Sequence, residues 1–365
     1  MFHCCVVCEK YLILGDMEEL RSLYRRCPCF KWGVLTLIVC AGVYSGFAWH
    51  DASRKSSEMA KKKRLVEAVA KQIDKKLMRI REAAEWLALK VTEVYAQKQR
   101  SLQTIDKAAF SQDSTGVFLK RLPDGGSALF VSTIFPLTED IREVAYLTEA
   151  LNEPFKKVCG EVDGVLQVYY NEKHCLTRIF PFFDVTLQFD PQLKITDFPF
   201  YYLADDRHNP QKSAIWMNEP YVDPAGRGIV ISVLAPVYID SELEGVVGID
   251  VCVHDLQAAL DRELKDVPFL ITTDEGAFIS IHKRLEPLLD LYPKPPASDI
   301  GYATTPQAFN TSKNLFMSPS RAVRKLFRLF STTNECAIKI GHDTFDFYKV
   351  SIPEIKWFML VNLSE

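Results

Sequence analysis

Excess charge of either sign is what this chain most lacks: 44 Lys and Arg against 47 Asp and Glu leave a net charge of −3 over 365 residues. That balance removes the electrostatic case for nucleic acid as a partner, because a phosphate backbone is gripped by a basic surface. Motifs of turnover are lacking as well. There is no Gly-x-Ser-x-Gly elbow and no phosphate-cradling glycine loop. His3, His50, His174, His208, His254, His282 and His342 form no pair at metal-ligand spacing. "DPAGRG" (223–228) is too short for a nucleotide loop and reads as a turn. No catalysis, cofactor or metal is expected. Glycine and proline are absent from about Ser57 to Ile105, so no chain reversal is expected there.

Uncharged runs of membrane length are scarce too. One stands out, "WGVLTLIVCAGVYSGFAW" at 32–49, with aromatic residues at both ends. Its length suits the hydrocarbon core and its ends suit the interfaces. It lacks a small-residue cleavage site, so an uncleaved transmembrane helix is expected rather than a signal peptide. Lys10, Arg21, Arg25, Arg26 and Lys31 precede it, and Arg54, Lys55, Lys61, Lys62, Lys63 and Arg64 follow it, so basic flanks do not orient it. Cys4, Cys5, Cys8, Cys27, Cys29 and Cys40 crowd the first 40 residues. Free thiols beside a membrane suit the reducing cytoplasmic side, with acylation as one use. A metal site from Cys4, Cys8, Cys27 and Cys29 matches no standard zinc spacing.

What is present begins with a stripe. Ile73, Leu77, Ile80, Ala84, Leu87, Val91 and Val94 recur at steps of four and three, the mark of one apolar face on a long helix. That face could pair with a second copy or pack on its own domain. After Gln112 the texture turns to short β-prone runs between turn residues. "EDIREVAYLTEALNEPFKKV" (139–158) suits a helix ending near Pro154. "GIVISVLAPVYI" (228–239) and "EGVVGIDVCV" (244–253) read as antiparallel strands joined through "DSELEG", and 254–264 has helical spacing. Hairpins follow at 268–281 and at 344–363. Between them, proline-rich loop gives way to the amphipathic "RAVRKLFRLF" (321–330), whose apolar side either packs on a sheet or rests on anionic lipid.

"FPFYYLADDRHNP" (198–210), "WMNEPYVDPAGRGIVISVLAPVY" (216–238) and "LEGVVGIDVCV" (243–253) resemble the double Cache, or PDC-type, sensor domains. Those are extracytoplasmic domains of bacterial chemoreceptors, histidine kinases and diguanylate cyclases. The likeness is close over 198–260 and looser on either side. It implies an α+β fold with a long N-terminal helix and two PAS-like antiparallel-sheet modules. The expected division is a cytoplasmic tail at 1–31, a transmembrane helix at 32–49, a stalk helix at 50–105, a membrane-distal ligand module at 106–260 and a membrane-proximal module at 261–365. It also implies a single-pass protein of the inner (plasma) membrane with its C-terminal domain outside the cytoplasm (periplasmic), and a homodimer through the long helix.

The resemblance further implies that Phe200, Tyr201, Tyr221, Asp223 and Asp250 contact a ligand, with Ala204 following the aromatic pair. Two acids and ring faces suit an ammonium group. The family's amino-acid binders carry an arginine two residues before the aromatic pair, and here that position is Phe198. Without a guanidinium fork for a carboxylate, an amine is expected ahead of an amino acid, unless Arg178 or Arg207 supplies the clamp from elsewhere. The competing reading is that both aspartates only satisfy local donors. No second span or output domain follows within these residues. The chain is therefore expected to be either part of a receptor or a binding or scaffold subunit that modulates a partner membrane protein.

Overall fold

A computed structural model of the chain describes residues 28–103, 105–289 and 314–364. Cys4, Cys5, Cys8 and Cys27 of the expected cysteine cluster and most of the proline-rich loop lie outside these residues. Helix α1 runs Pro28–Ala96. The chain divides into two compact units, residues 1–61 and 62–365. In the first, the α1 side chains Val39, Val43, Tyr44, Phe47 and Trp49 are exposed. The expected span at 32–49 falls partly on side chains outside the described residues. Among the described residues no helix is long and apolar enough to cross a membrane.

In the second unit the missing glycine and proline let α1 continue without a break, and its stripe is consumed by the unit's own sheets. Leu77, Ile80, Ala84, Leu87 and Val91 are buried, as are Val66, Val69 and Ala70. Each large aliphatic side chain so buried contributes about 1.5–3 kcal/mol. Of the two fates open to that face, intrachain packing takes this stretch. Polar contacts fix the helix on the rest of the unit: Tyr348 Oη of the later residues donates to Glu67 at 2.5 Å, and Lys76 pairs at 2.8 Å with Asp163 in the turn before residue 167.

Nine strands form the first sheet: β1 (Phe110–Gln112), β2 (Phe118–Lys120), β3 (Ala128–Val131), β4 (Gln167–Glu172), β5 (Leu176–Phe180), β6 (Ile215–Trp216), β7 (Tyr221–Val222), β8 (Ile229–Ile239) and β9 (Glu242–Cys252). Their order is β1-β2-β3-β5-β4-β9-β8-β6, with β7 also on β8, and every pairing is antiparallel. The β8–β9 turn is tighter than expected. Asp240 and Ser241 both take positive φ, 50° and 70°, as a two-residue hairpin turn matched to strand twist requires. Helix α2 (Glu139–Leu147) is capped by Thr138 Oγ1, which accepts from the Ile141 amide at 3.3 Å. Pro154 does not end a helix: it sits in the first turn of α3 (Asn152–Glu161), where its missing N–H has no intrahelical partner to lose.

After α4 (Pro199–Tyr202) and α5 (Val253–Leu264), five strands form a second antiparallel sheet: β10 (Phe269–Thr273), β11 (Phe278–Ile281), β12 (Glu335–Ile340), β13 (Asp343–Ile352) and β14 (Trp357–Asn362), ordered β11-β10-β14-β13-β12. The amphipathic helix α6 (Arg321–Phe330) buries Val323, Leu326, Phe327 and Phe330 in this sheet's core, with Leu270, Phe347 and Leu360. Its apolar side is thus taken by the sheet, and docking of that side on lipid is excluded. Glu354 joins three parts of the unit. Its backbone N–H donates to Asp74 at 2.8 Å, and its carboxylate accepts from Arg81 at 2.6 Å and from Trp216 Nε1 at 3.2 Å. An α+β protein with a long N-terminal helix and two antiparallel sheets is what the sequence implied.

Candidate functional site

Three strands of the first sheet set one polar row side by side. Gln167 on β4 is opposite Asp250 on β9, and Asp250 is opposite Ser232 on β8. All three face the same side because directly paired residues share a face. β7 then brings Tyr221 over β8, and the turn after it brings Asp223. Gln167 Nε2 donates to Asp223 Oδ2 at 3.0 Å and to Asp250 Oδ2 at 2.5 Å. Ser232 Oγ donates to Asp250 Oδ1 at 2.5 Å and shares a hydrogen bond with Tyr221 Oη at 2.8 Å. The turn "DPAGRG" holds Asp223 from the other side, since the amides of Ala225 and Arg227 donate to its carboxylate at 2.9 and 3.3 Å.

Both acids are buried, Asp250 with no exposure and Asp223 with 4%. Burial, and then the negative charge of Asp223, push Asp250 up to about 7. Burial also raises Asp223. Two polar atoms of the site have no hydrogen-bond partner, the Gln167 Oε1 acceptor and the Tyr169 hydroxyl. Gly248 makes room for that tyrosine. A Cβ there would stand 1.9 Å from Tyr169 Cζ, so the ring lies directly over the glycine opposite it in the sheet.

Aromatic rings close the space. Phe200 packs on Tyr169 with centroids 6.0 Å apart, on Tyr221 at 5.7 Å and on Phe198 at 5.0 Å. The cavity that Phe200, Tyr169 and Tyr221 border measures about 30 Å³, room for about two water-sized groups. Its lining includes Gln167, Tyr169, Asn171, Phe200, Tyr221, Asp223 and Asp250, and no cationic side chain.

Of the five residues implied by the resemblance, Phe200, Tyr221, Asp223 and Asp250 come together here. Tyr201 does not. It is buried one helical step away, where Glu172, Cys175 and Glu244 surround it, and burial first and those groups second raise its hydroxyl. Gln167, Tyr169 and Ser232 were missed. The only local signal is the polar glutamine inside the β-prone "VLQVYY", two residues from Tyr169 and so on the same face. Neither substitute clamp reaches the cavity. Arg207 is exposed in a loop. Arg178 is wholly buried elsewhere, donating to Thr148 Oγ1 at 2.9 Å, Ser127 Oγ at 3.1 Å, the Ala145 carbonyl at 2.5 Å and the Glu149 carboxylate.

No family model and no curated protein matches the chain. Among solved structures it is similar to a methyl-accepting chemotaxis protein X, at 12% identity over 83% of this chain and 96% of that one, with a TM-score of 0.43. It is similar to the ligand-binding domain of the Campylobacter jejuni chemoreceptor Tlp3 in complex with L-norvaline, at 12% identity over 82% and 91%, TM-score 0.39. It is also similar to the ligand-binding domain of the Pseudomonas aeruginosa amino acid chemoreceptor PctC in complex with GABA, at 15% identity over 82% and 100%, TM-score 0.38. Two of these three structures are ligand-binding domains of chemoreceptors.

Proposed function

We propose that the chain is a membrane-anchored extracytoplasmic sensor whose 106–260 module binds a small amine. One observation carries this reading: Asp223 and Asp250 are buried side by side and held by neutral donors alone, with no cation in the cavity lining. Buried carboxylates are ordinarily paired with positive charge, so a site that collects two and pairs neither is built for a cation from outside. The ring faces of Phe200 and Tyr221 add cation–π attraction. A ligand with its own carboxylate would meet a third negative charge and no guanidinium.

Occupancy would reach the membrane through β4. Gln167 and Tyr169 face the cavity, while Tyr170, the next residue along β4, faces α1, where its hydroxyl meets that of Tyr95 at 3.2 Å. Helix α1 would carry the displacement toward the anchor at 32–49, where Val39, Val43, Tyr44, Phe47 and Trp49 offer apolar surface to hydrocarbon. A homodimer through the exposed side of α1 would relay it, by no more than the ligand's differential affinity for the two states. The 261–365 module would sit nearest the membrane.

Thermal-shift measurements test the binding step. Methylammonium and other small primary amines are expected to raise the melting temperature, and glycine and alanine to leave it unchanged. Stabilisation by the amino acids without the amines would overturn the reading.

A further inference from the structure

We propose that Gln167 determines which ligands the site accepts, by bridging the two carboxylates with its Nε2 and offering its Oε1 as a third acceptor to the N–H groups of a primary ammonium ion the size of methylammonium. This rests on the amine reading of the same site and names the ligand's head group within it. The geometry assigns the amide's orientation. Nε2 lies 3.0 Å from Asp223 Oδ2 and 2.5 Å from Asp250 Oδ2, so both of its hydrogens are spent on carboxylates. The reverse orientation would aim an acceptor at two acceptors. Oε1 is therefore left over. It is buried and has no partner, a state that costs free energy unless a donor arrives.

The number and sign of unfilled valences define that donor. Asp223, Asp250 and Gln167 Oε1 are acceptors, and Tyr169 Oη beside them is bonded to nothing. A primary ammonium brings three N–H groups and one positive charge. A quaternary ammonium brings charge without N–H, and a zwitterion brings a carboxylate that nothing in the lining can hold. Size agrees: about 30 Å³ admits about two heavy atoms, the C–N unit of methylammonium. Gln167 also explains how the empty site tolerates its two acids. Its amide stands between them as a neutral substitute for a paired cation: Arg227 forms no ion pair with either acid, its charge reaches Asp223 only weakly and its guanidinium donates to the Pro181 carbonyl at 3.0 Å. The groups facing Asp250 are Gln167 and Tyr169 from β4, Ser232 from β8, Tyr221 from β7 and Asp223 from the turn; none is basic.

Calorimetric titration with methylammonium chloride at pH 8, with glycine at matched ionic strength, compares the wild-type protein with Gln167→Met, which keeps the side chain's length and removes its polar end. The wild type is expected to bind methylammonium and not glycine, and the variant to bind it about tenfold more weakly or worse, as the loss of a hydrogen bond to a charged group implies. Equal affinity in the two proteins overturns the role of Gln167 while leaving the amine site standing. A wild type that ignores methylammonium overturns the amine site itself. If Gln167→Met does not fold, Gln167→Glu decides, because its protonated form has the shape of glutamine. A cation should then displace about one proton more from the variant than from the wild type at the same pH. An unchanged proton count overturns the proposal.

Discussion

Replacing Asp250 by asparagine is expected to abolish amine binding and, in the same protein, to raise the melting temperature of the ligand-free state at pH 8. Asp250 is the most enclosed charge of the site, and removing one partner of such a pair costs about 2–5 kcal/mol of binding, or roughly 30- to 4000-fold in affinity. The stability effect has the opposite sign. The folded protein holds the Asp250 carboxyl near 7 against an ordinary 3.8. Its folded state therefore binds the proton more tightly than the unfolded chain does. Stability contributed by the protonated form is full below about pH 4, falls as the pH climbs toward 7, and is gone above it, a loss of the order of a few kcal/mol. Asparagine never ionises. Its carbonyl can accept from Gln167 and its amide can donate to Ser232, so the row survives without the charge. The wild type should thus melt lower at pH 8 than at pH 5, and Asp250→Asn should lose most of that difference. A variant that melts lower than wild type at pH 8 and still responds to methylammonium contradicts the account.

Arg178→Met is expected to do the reverse, with a large loss of stability and unchanged ligand selectivity in the folded protein. The guanidinium is completely enclosed and ties β5 to the Ala145 carbonyl, to Thr148, to Ser127 and to Glu149. Breaking a buried pair costs about 3–5 kcal/mol. The lower end applies here, because Lys120 continues to pair with Glu149 at 2.5 Å. Urea denaturation measures the first effect, and titration with methylammonium below the transition measures the second. Mild destabilisation with lost binding of methylammonium would instead make Arg178 a ligand contact.

Much of the fold was legible because local pattern and tertiary need coincide. The α1 stripe, the apolar runs of β8 and β9 and the helical spacing of 254–264 each encode their element locally. Misreadings arose where a single residue decides between near alternatives. Pro154 looks like a helix terminator but is equally at home in a first turn, and only the break at 148–151 shows which applies. Strand β12 escaped because it is six residues long and lies at a sheet edge, although Cys336, Ile338 and Ile340 alternate with Glu335, Ala337 and Lys339.

The site was half legible. Tyr221, Asp223 and Asp250 sit in motifs of resemblance, and the structure draws them together with Phe200. Gln167 could not be placed, since its partner Asp250 lies 83 residues away and strand register across such a gap is set by the sheet as a whole. Tyr201 shows the same limit at short range. Adjacent residues of a helix point about 100° apart, so Phe200 can line the cavity only by turning Tyr201 away from it.

Calorimetry of methylammonium binding at pH 7, repeated in buffers of different ionisation enthalpy, tests the central claim most directly, because it counts protons as well as ligand. The buried acid pair predicts that the cation binds and expels a substantial fraction of one proton from the site, with the fraction falling toward zero by pH 9. Absence of binding, or binding with no proton released at pH 7, would contradict it.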